Sequence, residues 1–575
     1  MHCRLLKFRC LYLTTALVGG LGILHPASAQ TTELPGSADP GRAIENLQLP
    51  ARPDTTLEAE TPARKAVAPA PEGTENLVFV LRDLQVDGMT AYEPSDVRGI
   101  YGDSVGREIS VATLFEIMAK LQQKYLDDGY ALTKVVIPNQ NIESGNVRLA
   151  VIEGFVQNVE MGAGLDQTPQ VRDAAARIAS MRPLNVKKLE RIMLILNDLP
   201  DLSVSAIIAN ADGQTMEQGG VRLILQKNEK KTYHGSVAVN NHGSVFTGPL
   251  QIQTNASAAG VGLAHSEVSV TALAAIPLQE QRLGSASYSI PLFGASGTKA
   301  TISVSKARTE PGSNLSVLDI KGASESVSAE ISYPVIRQRD MTLRADAGFE
   351  WKNARTKILG EELYDDRLRV AKIGGDFNFT DGYAGYNVMD IHYSRGLGIF
   401  GMREKGSEYL SREDGDPEFQ KFEFLAGRLQ ALPRNFELLA LVTGQYSFDP
   451  LLSSEEFGFG GAQMGRGYDS SEITGDRGVS ATLEVRYKTQ TSVFNKPLAL
   501  QPYAFYDIGK VWNIDQDAAD NVSAASAGFG VRMNLDNDWD LNLNLSKPLT
   551  KSADNEPKYQ NDLGARVLCS ISKSF

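Results

Sequence analysis

The chain has 575 residues, 42% of them hydrophobic and 22% charged, with a formal net charge of −12. It is too long for one ordinary domain, and an acidic chain without a basic run argues against nucleic acid as a partner. Beyond Ala29 no stretch offers about 18 or more consecutive apolar residues, which excludes spanning helices but not a β-barrel, whose lipid face is written only at alternate positions.

Met1–Ala29 reads as a secretory signal peptide. Arg4, Lys7 and Arg9 precede an apolar stretch from about Cys10 to Leu24, and Ala27-Ser28-Ala29 is a small-residue cleavage site before Gln30. A membrane anchor is disfavoured because Gly19, Gly20, Gly22 and Pro26 cut the apolar run short. Loss of the three cations takes the net charge from −12 to −15. Cys3 and Cys10 leave with the leader, so Cys569 alone remains and no intramolecular disulfide can form. Cys569 reads as a small apolar residue on the last strand.

Residues 30–75 hold seven prolines among Ala, Thr and acidic residues, a composition that cannot bury a core and reads as a linker. Within it only Arg42 to Gln48 is helix-compatible, and its brevity favours plain disorder.

From 76 to 154 the pattern changes. An alternating strand is expected from Phe79 to Val86, then a helix from Ser110, an N-cap, to Asp128. Leu114, Ile117, Met118, Leu121 and Tyr125 share one helical face, and Gly129 closes it. Strands follow at Thr133–Ile137 and Val147–Glu153. Residues 155–228 repeat this order, with an amphipathic helix inside RPLNVKKLERIMLILNDLP, Arg182 to Pro200, whose Leu189, Ile192, Met193 and Leu196 form a core stripe. Each module is a small helix-on-sheet domain whose open strand edge suits an extended guest.

Residues 232–575 alternate with long polar interruptions. Val479, Ala481, Leu483, Val485 and Tyr487 lie on one face of a strand and Ser480, Thr482, Glu484 and Arg486 on the other; Trp539 to Leu545 repeats the pattern. Aromatic residues at strand ends (Tyr333, Phe448, Tyr487, Trp539) suit membrane girdles. These 344 residues leave room for roughly 16 tilted strands.

Two segments carry the functional signal. FGFGGAQMGRGYDS, Phe457 to Ser470, is a glycine-punctuated loop with Arg466, Gly467 and Tyr468 at its tip; YAFYDIGKVW, Tyr503 to Trp512, places Asp507 on an alternating strand between Phe505 and Gly509. An arginine fork and a carboxylate are natural partners in a confined, partly dehydrated space. With Asp507 facing the lumen, Phe505 and Gly509 do so too, and Ala504, Tyr506 and Ile508 face lipid.

Together the segments resemble the lid-loop motif (V/I)RG(Y/F) and the strand motif FxDxG of outer-membrane transporters with periplasmic POTRA domains, and the fuller F-x-x-G-G-x-x-x-V-R-G-Y/F pattern resembles the two-partner secretion family. Both modules, the opening Val239 to Gly248 and the terminal Phe575 are similar to that family as well, although Lys573 interrupts the last apolar face. Gly465 stands where the family has Val or Ile, which predicts weaker packing of the loop tip. The resemblance implies α+β POTRA modules followed by a transmembrane antiparallel barrel in the outer membrane of a Gram-negative bacterium. It further implies a monomer set in lipid that passes an unfolded secreted partner of haemolysin or adhesin type from the periplasm to the cell surface. Arg466 is then expected to reach inward and pair with Asp507. The resemblance also implies, as the alternative to plain disorder at Arg42 to Gln48, a remnant of an N-terminal helix that plugs the barrel.

No GxxxxGK[ST] is present and H-E-x-x-H does not occur, so no nucleotide, cofactor or catalytic group is expected. His234, His242, His265 and His392 lack ligand spacing, and Glu413, Asp414 and Asp416 read as a solvated loop without a full calcium-ligand set, so no metal site is expected. A barrel-assembly insertase shares the two motifs and is the alternative. A porin would not need the two modules.

Overall fold

The computed structural model describes residues 34–43, 70–209, 217–514, 521–536, 538–550 and 564–575. The expected leader and cleavage site lie outside them. Leu34 belongs to a leading unit, Met1–Leu34, and all other described residues belong to a second, Pro35–Phe575.

In the first module, helix Val111–Asp127 begins at Ser110, whose hydroxyl accepts the Thr113 amide at 3.2 Å, and closes at Gly129 with φ 98°. Its Leu114, Ile117, Leu121 and Tyr125 are buried against a sheet of Asp83–Asp87, Asn146–Ile152 and Lys134–Val136. The single strand expected from Phe79 to Val86 is two strands instead. Val78–Val80 pairs with Glu108–Ser110, and Asp83–Asp87 runs parallel to Asn146–Ile152. The break comes at buried Leu81, whose amide donates to the Arg107 carbonyl while those of Arg82 and Asp83 turn to Gly145. Alternation is the same on both sides of such a break, so it cannot reveal it.

The second module packs helices Pro169–Ala179 and Val186–Asn197 on the sheet Phe155–Met161, Gly220–Lys227, Val204–Ala209. Leu189, Ile192, Ile195 and Leu196 form the buried stripe of the second helix, and Met193 is only partly buried against it. Asn185 caps that helix and also fastens the modules together. Its Oδ1 accepts from the Lys187 and Lys188 amides at 3.0 and 3.3 Å, and its Nδ2 donates to the Asp128 carbonyl at 2.9 Å. The second module rests on the barrel turns. Asp198 accepts a two-point bond from Arg337, both arms 2.8 Å, and His265 stands between Asp201 (2.5 Å) and Thr168 (2.8 Å).

Seventeen paired segments close the barrel, but Arg477–Tyr487 and Thr489–Val493 run in succession along Lys496–Trp512 and form one strand, so the described barrel has 16 strands. All neighbours are antiparallel, and Arg566–Ser574 closes on Tyr233–Asn240. Closure leaves no open edge in lipid. The outer face is the apolar one: Ile302, Ile331, Ile373, Ile391, Leu483 and Phe529 are exposed there. Phe575 completes the seam by exchanging backbone bonds with Gly235 at 3.0 and 3.1 Å, its ring lying where a Cβ on Gly235 would stand. Lys573 interrupts the apolar face at little cost, because its ammonium lies 4.8 Å from the Trp539 ring centroid and 3.9 Å from Asp538.

One expectation gives way. The start of the proline-rich stretch is not a bare linker: Ala38 to Ala43 are buried inside the barrel, with a short helical turn at Pro40–Ala43. Asp39 accepts from the Tyr364 and Ser453 hydroxyls, each at 2.8 Å, Arg42 donates to the Ser453 carbonyl at 2.7 Å, and Ala43 packs on Leu273, Leu283 and Ala307. The partners come from the wall and from a distant loop, so local composition does not disclose them. The remainder of the helix-compatible stretch, from Ile44 to Gln48, lies outside the described residues.

Candidate functional site

Alternation sets the site. Along Lys496–Trp512, Tyr503, Phe505, Asp507 and Val511 are buried inside while Ala504, Tyr506 and Ile508 are exposed outside. On the neighbouring strand Ser480, Thr482, Glu484 and Arg486 point inward, and register puts Thr482 opposite Asp507. Loop 448–476 leaves the far end of Phe436–Ser447, the end away from the modules, and folds back into the lumen. It carries its own two-stranded ribbon, Phe457–Phe459 with Ile473–Gly475.

The structure brings Arg466 and Asp507 together. The guanidinium meets the carboxylate with two arms, Nε to Oδ2 at 3.0 Å and Nη2 to Oδ1 at 2.8 Å. The amides of Gly465 and Arg466 add bonds to Oδ2 at 3.1 and 3.0 Å, and the Thr482 hydroxyl donates to Oδ1 at 2.6 Å. Arg466 is 1% exposed and Asp507 0%. A charge so far from water persists only when paired and fully hydrogen-bonded, and these bonds meet that condition.

Each motif residue has a physical task. The Phe505 ring lies under the guanidinium, 3.3 Å from its carbon to the ring centroid. Gly509 leaves room for Phe459 of the loop, since a Cβ there would be 2.3 Å from the Phe459 ring. Gly467 allows the loop tip to press on the wall, where a Cβ would stand 2.8 Å from that of Ser526. The Tyr468 hydroxyl shares its one hydrogen between the carbonyls of Ala525 (2.9 Å) and Thr550 (2.6 Å).

Gly465 does not leave a hole. Its φ is +81°, and a Cβ would lie 2.9 Å from both Phe459 Cζ and Gly460 Cα. The space a branched residue would fill is taken by Phe459, so the expected weaker packing is not what is found.

Sequence reading missed Glu484. Its carboxylate accepts from Arg466 Nη1 at 2.6 Å and also pairs with Arg486 at 2.8 Å and Arg532 at 2.9 Å, so three guanidinium groups converge on it. The signal was its even position on a strand whose odd face is apolar. Ser546, which donates to the Arg466 carbonyl at 2.7 Å, and Asp469, which pairs with Arg566 at 2.8 Å, fasten the loop to the last strands. Among the described residues no cluster of His, Cys, Asp or Glu is arranged to hold a metal ion.

Residues 219–533 match the family described as haemolysin secretion/activation protein ShlB/FhaC/HecB, and residues 79–154 match the ShlB-type POTRA domain. The chain belongs to that haemolysin secretion/activation family. It is an outer-membrane two-partner secretion transporter, with POTRA structure on the periplasmic side, and the secretion reading prevails over the insertase.

The heme/hemopexin transporter protein HuxB of Haemophilus influenzae is 22% identical over 96% of this chain and 98% of its own. The hemolysin transporter protein HpmB of Proteus mirabilis is 24% identical over 75% of each. CdiB from Escherichia coli shares the fold, with TM-score 0.75 at 19% identity over 88% of this chain and 93% of that one. CdiB from Acinetobacter baumannii gives 0.68 at 16% identity, over 92% and 96%.

Proposed function

We propose that this transporter exports a large secreted partner of haemolysin or adhesin type, and that the buried Arg466–Asp507 pair holds loop 448–476 in the conformation transport needs. The observation that carries the reading is the double engagement of the lumen. The loop is pinned from one side, and Pro35–Ala43 is lodged beside it, tied to the loop through Ser453.

In this reading residues 155–228 are a second POTRA module, and sheet edges of both modules take up the unfolded partner by strand addition, which satisfies its backbone groups. The barrel conducts it, and folding outside draws it onward without nucleotide, cofactor or catalytic step. One chain supplies all 16 strands, which supports a monomer set in lipid.

The test is a secretion assay with a large secreted β-helical protein encoded beside this chain as candidate partner, comparing wild type with Arg466→Ala and Asp507→Ala. Heat-modifiable migration reports assembly. The expected result is that both variants assemble and export little. Unchanged export in both would refute the role of the pair, and no export by wild type would refute the partner class.

A further inference from the structure

The lumen wall is chemically divided. Register fixes which residues point inward on the first six strands, Tyr233–Asn240 through Lys321–Arg337. From Ser236 to Ser332 those positions carry charge only near the periplasmic end, at Glu267, Lys299 and Glu330. The remainder is short and neutral, with Gln253, Asn255, Ser287, Ser303, Ser305 and Ser328 half-buried along it. The opposite wall, from Met341–Ile358 to Gln420–Ala431, is charged and internally paired. Lys372 holds Glu350 at 3.1 Å, Arg344 holds Asp376 at 3.3 Å, and Lys421 holds Glu423 at 3.3 Å.

Two further observations point to an occupant on the neutral wall. Thr309 Oγ1 and Ser324 Oγ, 1% exposed each, have no hydrogen-bond partner among the described residues. They lie where the chain's own N-terminal segment covers the wall. Pro40 and Thr309 Oγ1 both crowd the face of Gly322, and Ala43 packs on Leu273, Leu283 and Ala307. A stretch of polypeptide already rests on this wall and leaves these two hydroxyls without a partner among the described residues.

Resting on the export reading above, we propose that the neutral wall of the first six strands is the track along which the exported chain passes in extended form. The N-terminal segment occupies the extracellular end of that track at rest. An extended chain presents an N–H and a C=O at nearly every residue, and both must find partners. Hydroxyl and carboxamide side chains offer donor and acceptor from one group and exchange without regard to the charge of the passing residue. A free lysine or glutamate would hold each opposite charge as it came by, especially where water is scarce. On the opposite wall, pairing of the charges keeps that side closed to such capture and fixes its shape.

The track is tested with the candidate partner stalled in transit by a folded domain fused to its C-terminus. Photoreactive p-benzoylphenylalanine replaces Ser287 or Ser303 on the track, or Asp390 or Thr443 on the inward face of the other side. Cross-links to the partner are expected to be several-fold stronger from Ser287 and Ser303. Equal or stronger cross-links from Asp390 and Thr443, with export intact, overturn the track while leaving the export reading standing. If wild type exports nothing, both fall.

A second measurement covers variants that assemble poorly. Among barrels shown to be heat-modifiable, S287D and S303D are expected to slow export several-fold and T443D to leave it near wild type. The reverse order overturns the proposal.

Discussion

Removing the Asp507 carboxylate is the sharpest perturbation of the loop. Asp507→Ala deletes five hydrogen bonds at once, from the Gly465 and Arg466 amides, Arg466 Nε and Nη2, and Thr482 Oγ1. It also leaves Arg466, 1% exposed, to share Glu484 with Arg486 and Arg532. Breaking a buried pair by removing one partner costs about 3–5 kcal/mol, which lowers the docked-to-released ratio of the loop by roughly a hundredfold to several thousandfold. Part of the anchoring survives in Ser546, Tyr468 and Asp469, so the barrel itself is expected to assemble.

The loop carries its own reporter. Arg466–Gly467 is a trypsin site that the docked loop hides, so trypsin added to intact cells is expected to cut after Arg466 in the variant and spare wild type. Asp507→Asn keeps the acceptor oxygen and the shape but loses the charge, and is expected to fall between the two. Cleavage of Asp507→Ala no faster than wild type, in a protein shown to be assembled, would refute the claim that this carboxylate holds the loop.

Gly509→Leu and Gly465→Val are expected to release the same loop by displacing Phe459, because each new Cβ falls within 3 Å of its ring, 2.3 and 2.9 Å; trypsin resistance equal to wild type would count against that packing. Asp39→Ala strands the buried Tyr364 hydroxyl at about 1–3 kcal/mol, so the N-terminal segment is expected to leave more often. Planar-bilayer recordings should show more frequent open-channel events, and unchanged gating would mean the segment is held elsewhere. In the first module, burial raises the Glu153 pKa, but bonds from the Thr90 side chain and amide, the Ala91 amide and the Tyr125 hydroxyl outweigh it and hold the carboxyl below its ordinary 4.5. Since the folded value is the depressed one, its stabilisation is whole above 4.5 and is lost as pH falls through the folded value. Protection factors for hydrogen exchange in Val111–Asp127 of the full-length protein, taken relative to the intrinsic rate at each pH, should therefore fall on acidification in wild type, and those of Glu153→Gln should be lower at neutral pH and flat in acid; an identical acid response in both would exclude Glu153 as its source.

Much of this was legible in the chain because two periodicities were strong. A helical stripe, as in Leu114 to Tyr125, and strict alternation, as in Val479 to Tyr487, report burial directly, and the inward face of Asp507 follows from the same period. Alternation does not report where a strand changes partner, as at Leu81, nor which polar residues on an inward face will meet. Glu484 and Thr482 look like any other lumen residues until register sets Thr482 beside Asp507.

By itself the sequence determined the order of modules and barrel, the two faces of each barrel strand, and the residue types at the loop tip and on its partner strand. These are local properties, set by side-chain spacing against a repeating backbone. Only the tertiary structure decided that Pro35–Ala43 is lodged in the lumen, that Phe459 fills the space beside Gly465 and Gly509, and that Glu484 gathers three guanidinium groups. Those outcomes depend on barrel closure, which brings residues hundreds of positions apart, such as Asp39 and Ser453, into a space with little water, where every unpaired polar group must find a partner.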